Sequence, residues 1–189
     1  MIKIGILGDI GSGKSYVARS FGYPVFDADK EVGKLYKTNK KIFKKLKKIL
    51  PKYFKKFPIE KYQVLNAILD KNENLSKIVK IIHKEVKEKM RIFLKKNTHK
   101  KIVILDIPLL LENKINNKNY ILIFVQSKKS EVLKRLKKRK NFNLDILNKF
   151  KKIQLPLDYK RKKSNFIIKN DFSKVTVKKF VKDIKKKIS

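Results

Sequence analysis

The sequence predicts an α/β fold: a parallel sheet with helices packed on both faces. Three observations predict it. Short apolar runs alternate with longer amphipathic segments along the chain. A glycine-rich turn separates the first apolar run from the first helical segment. Chemically loaded residues then stand at the ends of three successive apolar runs. Sheets of this kind bind ligands beyond the C-terminal ends of their strands.

Each element follows from its pattern. Residues 2–7 (IKIGIL) read as a buried strand, and residues 15–21 (SYVARSF) open a helix. Tyr23, Pro24, Val25 and Phe26 form a second short strand, with Asp27-Ala28-Asp29 and a helix to about Tyr36 after it. Across 39–97 the texture changes to lysine-rich helices. Ile42, Phe43, Leu46, Ile49 and Leu50 recur at helical spacing up to Pro51, and Val64, Leu65, Ile68 and Leu69 form another stripe. Leu75, Ile78, Val79, Ile82, Val86, Met90, Phe93 and Leu94 trace one face of a long helix. These stripes read as core. Strand character returns at Ile102, Val103, Ile104 and Leu105, ahead of Asp106, and again over 120–125 (YILIFV). Ser127 is placed to cap a helix that buries Val132, Leu133 and Leu136 and carries Arg135 and Arg139. A polar stretch over 140–143 leads into one helix over 145–163. A last strand spans 165–169. Val177, Phe180, Val181, Ile184 and Ile188 mark a C-terminal amphipathic helix.

The composition bounds the class. At 189 residues the chain reads as one domain, or one domain with a small insertion, and 42% hydrophobic residues supply a core. No cysteine is present, which excludes disulfides and thiolate metal sites. No run approaches the ~20 apolar residues of a membrane span, and the N-terminus lacks a signal-peptide pattern. A cytoplasmic protein without a membrane partner is expected, and no oligomer is predicted. The net charge of +36 raises a nucleic-acid partner. Two features argue against a specific one. Arginine, the residue of bidentate phosphate and base recognition, occurs only at positions 19, 91, 135, 139 and 161. The lysines are spread over almost every segment rather than gathered in one stripe.

The chemistry starts at Gly8-Asp9-Ile10-Gly11-Ser12-Gly13-Lys14-Ser15, which matches the phosphate-loop pattern G-x-x-x-x-G-K-[ST] in its strand–turn–helix setting. Gly8, Gly11, Ser12, Gly13, Lys14, Ser15 and Tyr16 are the candidate nucleotide-binding residues. Backbone N–H groups cradle phosphates, Lys14 adds charge, and the Ser15 hydroxyl can ligate Mg²⁺. Asp27 or Asp29 can cap the helix that follows, or face a reacting hydroxyl as base or orienter. Asp106 ends an apolar strand as a Walker-B carboxylate would, with Ser15 completing a Mg²⁺ site; it reads equally as a turn residue before Pro108. Arg135, Arg139, Lys160 and Arg161 flank the polar stretch, which makes 140–163 the candidate lid. Arg139 is the first choice for the cation that screens the transferring phosphoryl. His83, between Ile82 and Val86, reads as a packing histidine, and two histidines in the chain make a histidine metal site implausible.

Assembled, these segments resemble the dephospho-coenzyme A kinase family. The resemblance rests on the glycine loop, on Pro24-Val25-Phe26-Asp27-Ala28-Asp29, and on Asp106-Ile107-Pro108-Leu109-Leu110-Leu111-Glu112. Arg135, Arg139, Gln154 and Phe166-Ile167-Ile168-Lys169-Asn170 extend it. His83 falls where the family has a His-Pro pair. The chain departs from the pattern at Asp9, Lys84, Leu157, Lys160 and Lys169.

The resemblance implies a P-loop kinase-like fold: a nucleotide-binding core over 1–36 and 101–189, a helical insertion over 37–100 for the acceptor, and the lid. It implies ATP and Mg²⁺ as cofactors and dephospho-coenzyme A as acceptor. Catalytic roles then fall to Asp29, Lys14 and Arg139, and acceptor contacts to Asp29, His83, Pro108, Leu109, Leu110 and Glu112. A P-loop kinase for a nucleoside or nucleotide is the nearest alternative, and a P-loop nucleic-acid-binding protein the more distant one.

Overall fold

The computed structural model describes residues 1–113, 115, 119–140 and 142–188. Asn141, in the polar stretch that opens the expected lid, lies outside the described residues. Five strands are present among these residues: β1 Ile2–Gly8, β2 Val25–Asp27, β3 Ile102–Asp106, β4 Tyr120–Gln126 and β5 Phe166–Lys169. The helices are α1 Lys14–Ser20, α2 Ala28–Thr38, α3 Lys40–Ile49, α4 Lys61–Asp70, α5 Asn72–Lys96, α6 Lys129–Lys137, α7 Leu144–Lys152, α8 Leu157–Lys162 and α9 Lys174–Ile188. The chain divides into two compact units. One is Met1–Asp27, Phe93–Phe142 and Gln154–Ser189; the other is Ala28–Ile92 and Asn143–Ile153.

The first unit is built on a sheet of order β2-β3-β1-β4-β5, parallel at every pairing. Parallel strands are covered on both faces, so they read as continuous apolar runs rather than alternating ones; all five residues of β3 are buried. Ile4, Ile6, Ile102, Ile104, Ile123, Val125 and Ile168 pack with Val17, Ala18 and Phe21 of the α1 region and Val177, Val181 and Ile184 of α9. Pleating turns Gly5 to the opposite face from Ile4 and Ile6. There Leu110 sits so close that a Cβ on Gly5 would lie 2.5 Å from Leu110 Cδ2. The topology sets β1 at the centre, so the loop after it emerges mid-sheet, flanked by the ends of β3 and β4.

The second unit is all helical. Leu35, Ile42, Leu46, Leu50, Phe54, Val64, Ile68, Leu75, Ile78, Ile82, Val86 and Leu147 are among its buried apolar side chains. The lysines of α3 fall on the solvent side of this stripe. Lys149 of α7 donates to the carbonyls of Ile68 at 2.7 Å and Leu69 at 2.8 Å. It thereby satisfies groups that the end of α4 leaves without helical partners.

Two local expectations are corrected. The single helix expected over 145–163 is two helices, because Pro156 has no N–H and restricts Leu155 before it. Ser127 does not cap α6, which begins after Lys128. The Ser127 hydroxyl donates instead to the Ser12 carbonyl at 3.0 Å.

Candidate active site

The loop between β1 and α1 is shaped by its glycines. Gly13 has φ 91° and ψ 17°, a left-handed conformation that residues with a Cβ avoid. A Cβ there would also lie 2.4 Å from Asn170 Nδ2. Lys14 folds back over the loop, its Nζ donating to the carbonyls of Gly8 at 3.2 Å and Asp9 at 2.7 Å. The Asp9 carboxylate, the odd residue of the motif, accepts from the Ile10 N–H at 2.7 Å. Its charge is thus engaged by local backbone. Ser12 is buried and Tyr16 is partly exposed.

Two strand ends bring carboxylates to this loop, beside the Ser15 hydroxyl of α1. Asp27 and Asp106 are register partners at the ends of β2 and β3. Asp106 is only 4% exposed. Burial pushes its carboxyl above the usual range, while a hydrogen bond from the Ser15 side chain and the charge of Lys14 oppose that shift; Asp27 adds to it. Arg19 stands 3.8 Å from Asp27. The Ser15 hydroxyl and the Asp106 carboxylate are therefore neighbours, both hard oxygen donors. That set suits Mg²⁺, which binds through one or two protein oxygens together with phosphate and water. Among the described residues no cluster of three or more His, Cys, Asp or Glu side chains is placed to hold a metal by itself.

The remaining expected residues separate into distinct surroundings. Asp29 is exposed in the first turn of α2, two residues beyond the end of β2, and belongs to the helical unit. His83 also stands in that unit. Its Nε2 is buried without a hydrogen-bond partner, and burial, with Lys87 nearby, holds its pKa below the usual value. Pro108 and Leu109 are half-buried, whereas Leu110 is fully buried under the sheet. Glu112 Oε1 accepts from the Leu155 N–H at 3.0 Å and lies 2.6 Å from Lys160 Nζ. The Lys160 side chain is 1% exposed, so it is not the solvent-facing lid cation that its sequence position suggests. Arg139 is exposed just past the end of α6. Arg135 lies over the Phe172 ring, 4.4 Å from its centroid.

Sequence reasoning gave no site role to Ser127, Arg19 or Phe172. Ser127 and Asn170 each follow a parallel strand directly, the same signal that singled out Asp106. Arg19 and Phe172 carry no such signal, because only folding brings them to Asp27 and Arg135.

A phosphate loop leaving the centre of a parallel sheet, with Lys14, Ser15 and Asp106 together, defines a P-loop phosphotransferase of the nucleotide-dependent kinase class. The comparisons narrow it. The family model described as dephospho-CoA kinase matches residues 2–175. A dephospho-CoA kinase of Wolbachia sp. subsp. Brugia malayi (strain TRS) is 35% identical over 186 residues, covering 96% of this chain and 95% of the relative. Among solved structures, TT1252 from Thermus thermophilus superposes with a TM-score of 0.75 at 25% identity, covering 100% of this chain and 98% of that one. Dephospho-CoA kinase from Campylobacter jejuni has the same fold, with a TM-score of 0.60 at 22% identity, covering 100% and 99%. This chain belongs to the dephospho-CoA kinase family. Among the described residues no helix is long and apolar enough to cross a membrane.

Proposed function

We propose that this chain transfers the γ-phosphoryl group of ATP to the 3′-hydroxyl of the dephospho-coenzyme A ribose, giving coenzyme A and ADP. The observation that carries this reading is the family match over residues 2–175. The cluster of Lys14, Ser15 and Asp106 at the phosphate loop supports the donor side. The absence of cysteine agrees with a reducing, cytoplasmic setting.

In this reading the loop N–H groups and Lys14 hold the triphosphate. Ser15 and Asp106 would hold Mg²⁺, whose chemistry is to neutralise phosphate charge. The acceptor hydroxyl oxygen forms a bond to the γ-phosphorus while the bond to the β–γ bridging oxygen breaks. Asp29 orients that hydroxyl and takes its proton. Arg139 supplies charge to the phosphoryl group in transit. Phosphoryl transfer is mostly alignment and electrostatic stabilisation, which these groups provide. Pro108, Leu109, Leu110, Glu112 and His83 are assigned to the acceptor side by the family resemblance. The internal pairing of Glu112 makes it a support for that segment as well.

An ADP-release assay across candidate acceptors tests the reading. Turnover should strongly prefer dephospho-coenzyme A over nucleosides and nucleotides, with mass spectrometry locating the new phosphate on the 3′-oxygen. Equal turnover with nucleoside acceptors would overturn it.

A further inference from the structure

The Ser12 carbonyl receives two hydrogen bonds from outside its own loop. Ser127 Oγ donates at 3.0 Å and Asn170 Nδ2 at 2.8 Å. The donors come from different strands: Ser127 directly follows β4, and Asn170 directly follows β5. Asn170 is itself held firmly. It is 4% exposed, its Oδ1 accepts from the Phe172 N–H at 2.9 Å, and its own N–H donates to the Gln126 carbonyl at 2.7 Å.

The consequence lies on the other side of the peptide plane. A trans peptide is planar, so its N–H points opposite to its C=O. Drawing the Ser12 carbonyl out toward Ser127 and Asn170 turns the Gly13 N–H the other way. Among the described residues that N–H donates to no protein group. Nothing local prevents this peptide from flipping, because glycine tolerates both values of φ that a flip would exchange. A flip would present the Ser12 oxygen, an acceptor, to an anionic phosphate. Two donors on one carbonyl block it.

We propose that Ser127 and Asn170 are positioning residues for nucleotide binding, which lock the Ser12–Gly13 peptide with the Gly13 N–H toward the phosphate chain. The proposal rests on the nucleotide-binding reading of this loop. Neither side chain touches the nucleotide in this role; both act through the peptide.

The test measures ADP affinity by titration calorimetry and follows the Gly13 amide by ¹⁵N NMR. The proteins are the wild type, Ser127→Ala, Ser127→Thr, Asn170→Ala and the double alanine variant. Each single alanine change should weaken ADP binding about fivefold, the size set by one neutral hydrogen bond. The double change should exceed the product of the two, because one remaining donor still aims the carbonyl. Ser127→Thr, which keeps the hydroxyl, should restore wild-type affinity. The Gly13 amide should shift on ADP addition in the wild type and shift far less in the double variant. Wild-type affinity in the double variant, or an unchanged Gly13 shift, overturns the positioning role. If the double variant does not fold, Ser127→Ala against Ser127→Thr decides the matter by the same two readouts. Failure of the wild type to bind ADP would instead overturn the nucleotide reading.

Discussion

Lys160 Nζ and Glu112 Oε1 stand 2.6 Å apart, with side chains 1% and 10% exposed. The pair ties the segment after β3 to helix α8, and the Leu155 N–H adds a second donor to the same oxygen. A buried pair of this kind contributes little against an apolar replacement, but removing one partner strands the other. Lys160→Met should therefore destabilise the protein by about 3–5 kcal/mol. Adding Glu112→Gln should recover much of the loss, since a carboxamide oxygen still accepts from Leu155 and no charge remains buried. Urea unfolding of the single and double variants measures this. Equal stability of the two variants would show that the charge is not what matters.

Asp106 should illustrate function retained at a cost in stability. Its carboxyl is held above the usual 3.8, chiefly by burial. A folded-state pKa above the unfolded one means that the stabilisation is complete below about the unfolded value and fades as pH rises through the folded one. At pH 7 the ionised group is a burden. Asp106→Asn should raise the thermal midpoint at neutral pH, with the gain over wild type shrinking as pH falls toward 4, while turnover collapses. A neutral-pH midpoint below that of the wild type would contradict this account.

Lys14 and Asp29 should fail in different ways. Lys14→Ala removes the proposed phosphate contact and should weaken ADP binding as well as lower kcat/KM by about 10²–10³-fold. Asp29→Asn keeps the shape but removes the proposed base; it should lower kcat by about 10²–10⁴-fold and leave ADP affinity nearly intact. Calorimetry with ADP alongside steady-state turnover separates the two. Unchanged turnover in Asp29→Asn would reduce Asp29 to a residue of the first helical turn.

Gly5 tests the packing beneath the site. A Cβ there would meet Leu110 Cδ2 at 2.5 Å, and Leu110 is fully buried. Gly5→Ala should cost about 1–3 kcal/mol through overpacking. Gly5→Ala with Leu110→Ala should be less than additive, because the second change makes room for the first. Chemical denaturation reads both, and strict additivity would argue against the contact.

Much of the candidate donor site was legible because its signals are local. The pattern from Gly8 to Ser15 places glycines, lysine and hydroxyl within one turn, and chain geometry alone brings them together. Asp27 and Asp106 were legible by a second rule: residues at the ends of parallel strands share one edge of the sheet, and the structure makes these two register partners. The expected lid was less legible. Residues 145–163 carry helical periodicity throughout, yet they form two helices separated ahead of Pro156, and the division between the two units falls between Ile153 and Gln154.

The sequence by itself determined the alternation of strand and helix, the phosphate loop and the family. Apolar period and glycine placement act over a few residues, and those can be read in order. Only the tertiary structure decided the partners of Lys160, Ser127 and Asn170. Lys160 became an internal counter-ion because folding brings it to a carboxylate 48 positions earlier in the chain. Ser127 and Asn170 meet at one carbonyl because β4 and β5 end beside the loop that follows β1. A lysine or asparagine looks the same in sequence whether it faces water or a buried acceptor. Which it faces is settled by desolvation and hydrogen bonding between distant segments, and those exist only once the sheet has formed.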